Sequence, residues 1–165
     1  ERRLVHGDYK LDNLLFAPGV PPQVAAVLDW EMAGIGNPLA DLGWFLGLWA
    51  EETDPDPVTR EFEARYGDHE MYDVVVGGTS ATTKPGAPSR TEFVDRYEDQ
   101  TGLEFRHDRF YRALGVYKLT VICEKFHEAY LTRPEHAKAT YPVMEVLAPF
   151  LAERAALVVE GETPL

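Results

Sequence analysis

An octapeptide near the start of the chain, His6-Gly7-Asp8-Tyr9-Lys10-Leu11-Asp12-Asn13, concentrates side chains suited to chemistry, and Asp29-Trp30-Glu31 begins sixteen residues after Asn13. Phosphoryl transfer makes three demands that this set meets. A carboxylate must stand near the attacking hydroxyl, oxygen ligands must hold Mg2+, and a cation must meet the transferring phosphate. Asp8 suits the first role, Asn13 and Asp29 the second, and Lys10 the third. A metal-dependent hydrolase built on Asp8 and Asp29 is a competing chemistry. The histidines and further acidic ligands that such sites recruit do not accompany these two carboxylates.

The flanking residues must bring Asn13 and Asp29 together. Leu4-Val5-His6 reads as a short strand entering the polar loop Gly7 to Asn13. Leu14-Leu15-Phe16 and Val24 to Leu28 read as strands joined by the turn Ala17 to Pro22, a hairpin-like pairing. Asn13 precedes one strand and Asp29 ends its partner, so pairing returns them to adjacent positions. Trp30 to Pro38 reads as a loop.

Beyond Leu39 the apolar period becomes helical, with Leu42, Phe45, Leu46 and Trp49 three or four residues apart. A proline-punctuated break at Glu51 to Pro57 precedes a short helix at Val58 to Tyr66, and Gly67 to Pro88, with Gly77-Gly78, reads as a long loop. Ser89 and Glu92 form a capping box opening a helix that ends at Gly102. His107 to Leu131 is the longest periodic segment. Its stripes, Phe110-Leu114-Tyr117-Val121 and Ile122-Phe126-Tyr130, predict a central helix buried on most sides. A last amphipathic helix spans Thr140 to Val159, with Pro142 in its first turn and Pro149 expected to kink or break it. A small β portion followed by helices makes an α+β domain.

The 165 residues suffice for one domain, and 45% hydrophobic with 27% charged residues is an ordinary globular balance. A net charge of −12 opposes nucleic-acid and anionic-membrane partners. A lone cysteine, Cys123, excludes an intrachain disulfide, and the five histidines show no zinc spacing. There is no signal-peptide pattern and no apolar run long enough to span a membrane, so a cytoplasmic protein is expected. The chain has no initiator methionine and its chemistry begins at residue 6, which points to a missing upstream region.

HGDYKLDNLLF followed by VLDWEMAGIGNPLADLGW resembles the aminoglycoside phosphotransferase and choline kinase-like family, relatives of the protein kinases. The resemblance is sharp over residues 4 to 44 and loose elsewhere. It implies the mostly helical C-terminal lobe of a protein-kinase-like fold, residues 1 to 165 forming one lobe, with a short β-hairpin bearing the catalytic and metal-binding loops. On this resemblance Asp8 is the catalytic base, Asn13 and Asp29 are Mg2+ ligands, and Lys10 is both catalytic and a contact for the ATP phosphates. His6 and Asp41 become braces of the catalytic loop. The segments around Gly86-Ala87-Pro88-Ser89-Arg90 and Phe110-Tyr111 resemble the branch associated with acyl-CoA dehydrogenases, which implies a hydroxyacyl-type acceptor beside the aminoglycoside-like one.

The glycine-rich phosphate loop, strand lysine and helix glutamate of this family are not found in the 165 residues, and Gly77-Gly78 does not open a phosphate-binding pattern. The N-terminal nucleotide-binding lobe is therefore expected as a partner from the same protein, and the isolated chain is expected to be inactive. Apolar surface around Leu4, Leu14 and Val24 to Leu28 is expected to drive self-association. A non-catalytic kinase-like binding or regulatory module is the alternative function, against which the intact Asp8, Asn13 and Asp29 argue. Asp12 reads as a solvated loop residue and Glu31 as one that either is solvated or touches metal or its water. Trp30, Trp44, Phe45 and Trp49 read as packing residues, Lys118, Glu124 and His127 as helix-surface residues with a substrate cleft as the alternative, and Cys123 as a small buried hydrophobe.

Overall fold

Glycine and proline break the first third of the chain into pieces too short for helices, and these pieces pair as two ribbons. The computed structural model describes residues 2–76, 81–136 and 141–165. β1 (Arg3–Val5) pairs antiparallel with β4 (Gly34–Gly36), and β2 (Leu14–Ala17) pairs antiparallel with β3 (Gln23–Val27). The second ribbon is the expected hairpin. β4 was not expected: Gly-Ile-Gly carries little strand signal, and its pairing with β1 is a contact distant in sequence. It lies within the segment read as a loop.

Six helices follow: α1 (Leu39–Leu48), α2 (Arg60–Tyr66), α3 (Tyr72–Val76), α4 (Arg90–Thr101), α5 (Asp108–Thr132) and α6 (Met144–Glu160). The α+β assignment holds, with helix dominant. Ser89 caps α4 in a full capping box with Glu92, and Gly102 ends it in the left-handed region at φ 68°. The segment read as one long loop contains α3 and a 3-10 turn at Ala81–Thr83, while Gly77-Gly78 lies outside the described residues. Thr140, the expected start of the last helix, also lies outside them. Pro142 falls in a 3-10 turn, Tyr141–Val143, and Pro149 does not break α6, which continues to Glu160. Proline there removes one helical hydrogen bond, and burial of Val146, Ala148 and Leu151 on either side of it holds the helix together.

α1 is the buried centre. Leu42, Phe45, Leu46 and Trp49 join Val94 and Phe105 in one apolar cluster, while Val116 and Cys123 of α5 pack with Ala148 and Leu151 of α6 in another. α1 and α5 cross closely because glycine stands at the contact: a methyl group on Gly115 would lie 2.8 Å from Trp44 Cα. This crossing sets the height and rotation of α5 against α1. The expectation that α5 is buried on most sides fails along the whole first stripe and at Phe126 of the second. Phe110 and Tyr117 are each 61% exposed, and Leu114 and Val121 are exposed as well. Both expected stripes are apolar, but α1 and α6 cover the opposite sides, through Arg112, Gly115, Val116 and Cys123.

Two arginines that the periodicity did not single out are almost fully buried. Arg90 is 1% exposed and donates to both carboxylate oxygens of Asp54, to the Trp49 carbonyl at 2.9 Å and to the Pro164 carbonyl at 3.0 Å. Arg112 donates to the Thr163 carbonyl at 2.8 Å and to Asp108 at 2.9 Å. Together they staple the chain's last residues to α4 and α5. Guanidinium suits this work because its fixed fork can serve several oxygens at once.

Burial pushes the Asp54 pKa up, but the Arg90 hydrogen bonds, the Glu51 N–H and the Arg90 and Arg154 charges outweigh it and hold it below the usual Asp range. Asp54→Asn leaves Arg90 buried without its main counter-charge, and loss of one partner of a buried pair costs about 3–5 kcal/mol. With Glu51 Oε2 still 3.5 Å from Arg90, a loss near the lower figure is expected in urea denaturation at pH 7. Because the folded-state pKa is depressed, the native advantage holds above about pH 4 and closes as the pH falls below it. A pH-independent gap would contradict this assignment.

Candidate active site

The turn His6-Gly7-Asp8 is held from two helices. Gly7 sits at φ 82°, and a Cβ there would come 2.5 Å from the Met32 carbonyl oxygen, so this position takes only glycine. Asp41, in the first turn of α1, accepts the backbone N–H groups of His6 at 2.6 Å and Gly7 at 2.8 Å. From α5, Lys118 donates its ammonium to the Gly7 carbonyl and lies 4.5 Å from the centre of the Trp44 ring. Burial lowers the Lys118 pKa; the Asp8 and Asp41 charges oppose this and Lys10 adds to it, leaving a net fall.

His6, 3% exposed, links this turn to the end of the hairpin. Its Nδ1 accepts the Asp8 N–H at 3.2 Å, and its Nε2 donates to the Leu28 carbonyl at 2.7 Å. An Nδ1 that accepts carries no proton, so the hydrogen bonds assign the neutral ring with its proton on Nε2. The ring also packs 4.6 Å from that of Trp30. Tyr9 reaches the other way, its ring 5.8 Å from Phe45, and so ties the loop to the core.

Asp8, Lys10 and Asn13 come together. Lys10 Nζ lies 3.0 Å from Asp8 Oδ2, and Asn13 Nδ2 donates to the same oxygen at 3.0 Å and to the Asp8 carbonyl at 2.8 Å. Asp8 Oδ1 is left without a hydrogen bond from the described residues. Asn13 uses its amide nitrogen on Asp8, and its Oδ1 likewise accepts no hydrogen bond from the described residues. Among the described residues Asp29 makes no hydrogen bond or ion pair with the three. Leu14 pairs with Val27, and Leu28 N–H donates to the Asn13 carbonyl at 2.8 Å, which places Asp29 one residue beyond that bonded pair. At φ 65° and ψ 57°, Asp29 turns the chain into the 3-10 turn Trp30–Met32, and its exposed carboxylate has no hydrogen bond or ion pair among the described residues.

The leftover atoms fit a hard cation: the Asn13 amide oxygen and the Asp29 carboxylate are ligands of the type Mg2+ prefers, a metal that usually keeps several water or phosphate oxygens besides. Among the described residues no three of His, Cys, Asp and Glu gather into a metal site, so a cation here relies on this amide-and-carboxylate set. Glu31 stands in the exposed 3-10 turn after Asp29. Glu124 and His127 line a separate cavity of about 620 Å3 with Arg65 and Glu145.

Lys118 is the site residue that helical periodicity hid. Its spacing reads as helix surface, with a substrate cleft as the alternative, yet Tyr111, Gly115 and Lys118 share one face of α5. Asn37, which donates to Tyr111 Oη at 2.7 Å, carries no comparable signal.

The comparisons agree with the resemblance carried by these residues. The model of the phosphotransferase enzyme family matches residues 1–75. The chain is 29% identical to acyl-CoA dehydrogenase family member 11 of Homo sapiens over 93% of its own length and 17% of that protein. It is 31% identical to acyl-CoA dehydrogenase family member 10 of Mus musculus over 78% of its length and 11% of that protein. A stretch of 41 residues is 42% identical to the probable acyl-CoA dehydrogenase IBR3 of Arabidopsis thaliana, 25% of this chain and 5% of that protein. The chain thus spans less than a fifth of the length of these relatives. No solved structure matches it at a significant level. Residues 1–75 thus resemble the phosphotransferase enzyme family, and most of the chain is similar to the acyl-CoA dehydrogenase family members.

Proposed function

We propose that the chain is the catalytic lobe of an ATP- and Mg2+-dependent kinase that phosphorylates a hydroxyl of a small molecule, with the hairpin β2–β3 presenting the two reactive loops. The observation that carries this reading is the way Asn13 and Lys10 share Asp8 Oδ2. It leaves one carboxylate oxygen, Oδ1, for an incoming hydroxyl and one amide oxygen, Asn13 Oδ1, for a cation. A bound Mg2+ supplies charge neutralisation at the phosphate oxygens. Asn13 and Asp29 would hold that ion, and Lys10, 3.0 Å from Asp8, would meet the transferring phosphate. Asp8 orients the acceptor hydroxyl and takes its proton on Oδ1. The acceptor oxygen bonds to the γ-phosphorus as the bond to the β–γ bridging oxygen breaks, and ADP leaves.

A hydroxylated acyl compound is the acceptor we favour, since the relatives are named for acyl-CoA dehydrogenases. The groups that grip the nucleotide lie outside these 165 residues, in a second lobe seated on the β ribbons. Leu4, Leu15, Val24, Leu28 and Ile35 are exposed there, and contiguous apolar surface of this kind marks a contact. Beneath the hairpin a largely apolar hollow of about 720 Å3, bounded by Leu14, Phe16, Phe45, Phe93 and Tyr97, extends that surface.

In the longer protein that carries this chain, Asp8→Asn should lower kcat by about 10²–10⁴-fold, the usual weight of a general base, with Mg·ATP affinity little changed. Asp29→Ala should instead weaken Mg·ATP binding, because a methyl group cannot replace an oxygen ligand. Turnover and calorimetric affinity, measured in parallel with aminoglycosides, choline-like amines and hydroxyacyl compounds as acceptors, separate the two roles and name the acceptor class. Near-native turnover in Asp8→Asn would remove it from the chemistry. The isolated 165 residues should self-associate in sedimentation and show no ATP turnover; a monomer that turns ATP over would place the nucleotide site within them.

A further inference from the structure

Lys118 belongs to none of the roles above, yet its ammonium sits on the loop that carries Asp8. We propose that Lys118 is a positioning residue for phosphoryl transfer, aligning Asp8 with the Asp29 turn through a hydrogen-bonded relay that runs across Gly7 and His6. The role rests on the kinase reading; the relay itself does not.

The relay follows from four contacts. Lys118 donates to the Gly7 carbonyl. That carbonyl belongs to the same peptide unit as the Asp8 N–H, which donates to His6 Nδ1 at 3.2 Å. The other nitrogen of the ring, Nε2, donates to the Leu28 carbonyl at 2.7 Å. Leu28 C=O in turn shares its peptide unit with the N–H of Asp29, while the Leu28 N–H is fixed on the Asn13 carbonyl at 2.8 Å. One unbroken line of donors and acceptors thus joins the ammonium on α5 to the residue that begins the metal turn. Hydrogen bonds in series polarise one another, and a charged donor at the head strengthens those that follow.

The geometry favours a cation at the head of the line. Asp41 draws the N–H side of the turn toward α1, through His6 and Gly7. Lys118 draws the carbonyl side toward α5. Gly7 is clamped between opposite charges on two helices, its N–H on Asp41 and its carbonyl on Lys118, which fixes the peptide planes on either side of it and therefore the direction in which Asp8 leaves the backbone. Lys118 is itself fixed: Gly115, one turn earlier, presses on Trp44 Cα, and the Trp44 ring lies 4.5 Å from Nζ. A neutral side chain would lose both the cation–π contact and the charge-assisted bond.

The test uses the 15N-labelled 165-residue chain, so that the relay is read without any assay of activity. In Lys118→Met, the Asp8 amide, both His6 ring nitrogens and the Asp29 amide should all shift, and Lys118→Arg should return them toward their native positions. Shifts confined to Gly7 and Asp8, with the His6 ring and the Asp29 amide unmoved, would overturn the relay. If Lys118→Met does not fold, Lys118→Gln, which keeps a neutral donor, answers the same question through the same resonances. In the longer protein, Lys118→Met should lower kcat by about 10–10²-fold, as expected for a slightly misplaced catalytic group, with the KM for Mg·ATP unchanged and recovery in Lys118→Arg. A raised KM with native kcat would make Lys118 a nucleotide contact and end the proposal. Absence of phosphoryl transfer in the native protein would end the kinase reading, whereas the relay stands or falls by the resonances alone.

Discussion

Asp41 takes two consecutive backbone N–H groups, those of His6 and Gly7, on its two carboxylate oxygens, and the geometry of the turn depends on that grip. Neither group has a strand partner, and leaving such a donor buried and unpaired costs about 1–3 kcal/mol. Asp41 can serve them because it stands in the first turn of α1, where the positive end of the helix dipole favours a carboxylate. The turn is thereby registered to α1. α1 is registered to α5 by the glycine contact at Trp44, and that crossing delivers Lys118 to the carbonyl of Gly7, the residue whose N–H Asp41 holds. Loss of the Asp41 grip would loosen the loop on the helical core, leaving it held by Tyr9 on Phe45, Lys118 on the Gly7 carbonyl and the His6 link to the hairpin.

The charges around the turn alternate in a way the overall composition conceals. The chain carries 28 acidic against 16 Lys and Arg residues, but two lysines converge on one short loop, Lys10 on the Asp8 carboxylate and Lys118 on the Gly7 carbonyl. His6 lies between the two loops as a neutral connector. An imidazolium has two donors and no acceptor, so protonation of His6 would forfeit the Asp8 N–H contact. The hydrogen-bond pattern therefore demands an uncharged ring, and the two ammonium groups supply positive charge without asking His6 for it.

Much of this was legible in the sequence where the cause is local. The hairpin β2–β3 follows from two apolar runs about a proline-containing turn, and the α4 boundaries follow from Ser89, Glu92 and Gly102, whose cap chemistry acts within a few residues. The closeness of Asp8, Lys10 and Asn13 follows from their lying in one turn. What escaped was made by distance along the chain. β4 exists only because residues 34–36 meet residues 3–5, and Lys118 meets Gly7 across 111 positions. Nothing local marks Arg90 and Arg112 as buried, because their partners Asp54, Thr163 and Pro164 are scattered along the chain. The exposed Phe110 stripe misled for the complementary reason: an apolar face announces that it wants a partner, and it does not say whether the chain itself supplies one.

These contacts divide the molecule's rigidity unevenly. The helices are locked by apolar clusters and by two buried arginines that bind the final residues. The β portion is two separate two-stranded ribbons, and isolated ribbons of this kind are marginal in water. Order at Asp8 therefore comes from side chains on α1 and α5 rather than from a sheet, and it should match the stability of the helical core. Asp29 lies on the far side of His6, in an exposed turn that joins the two ribbons, with its carboxylate unengaged. Few buried contacts hold it, which places that turn at the low-stability end of the fold. The proton-accepting side of the proposed reaction is thus preorganised by this chain. On the same reading the cation-binding side would gain its rigidity from a bound ion.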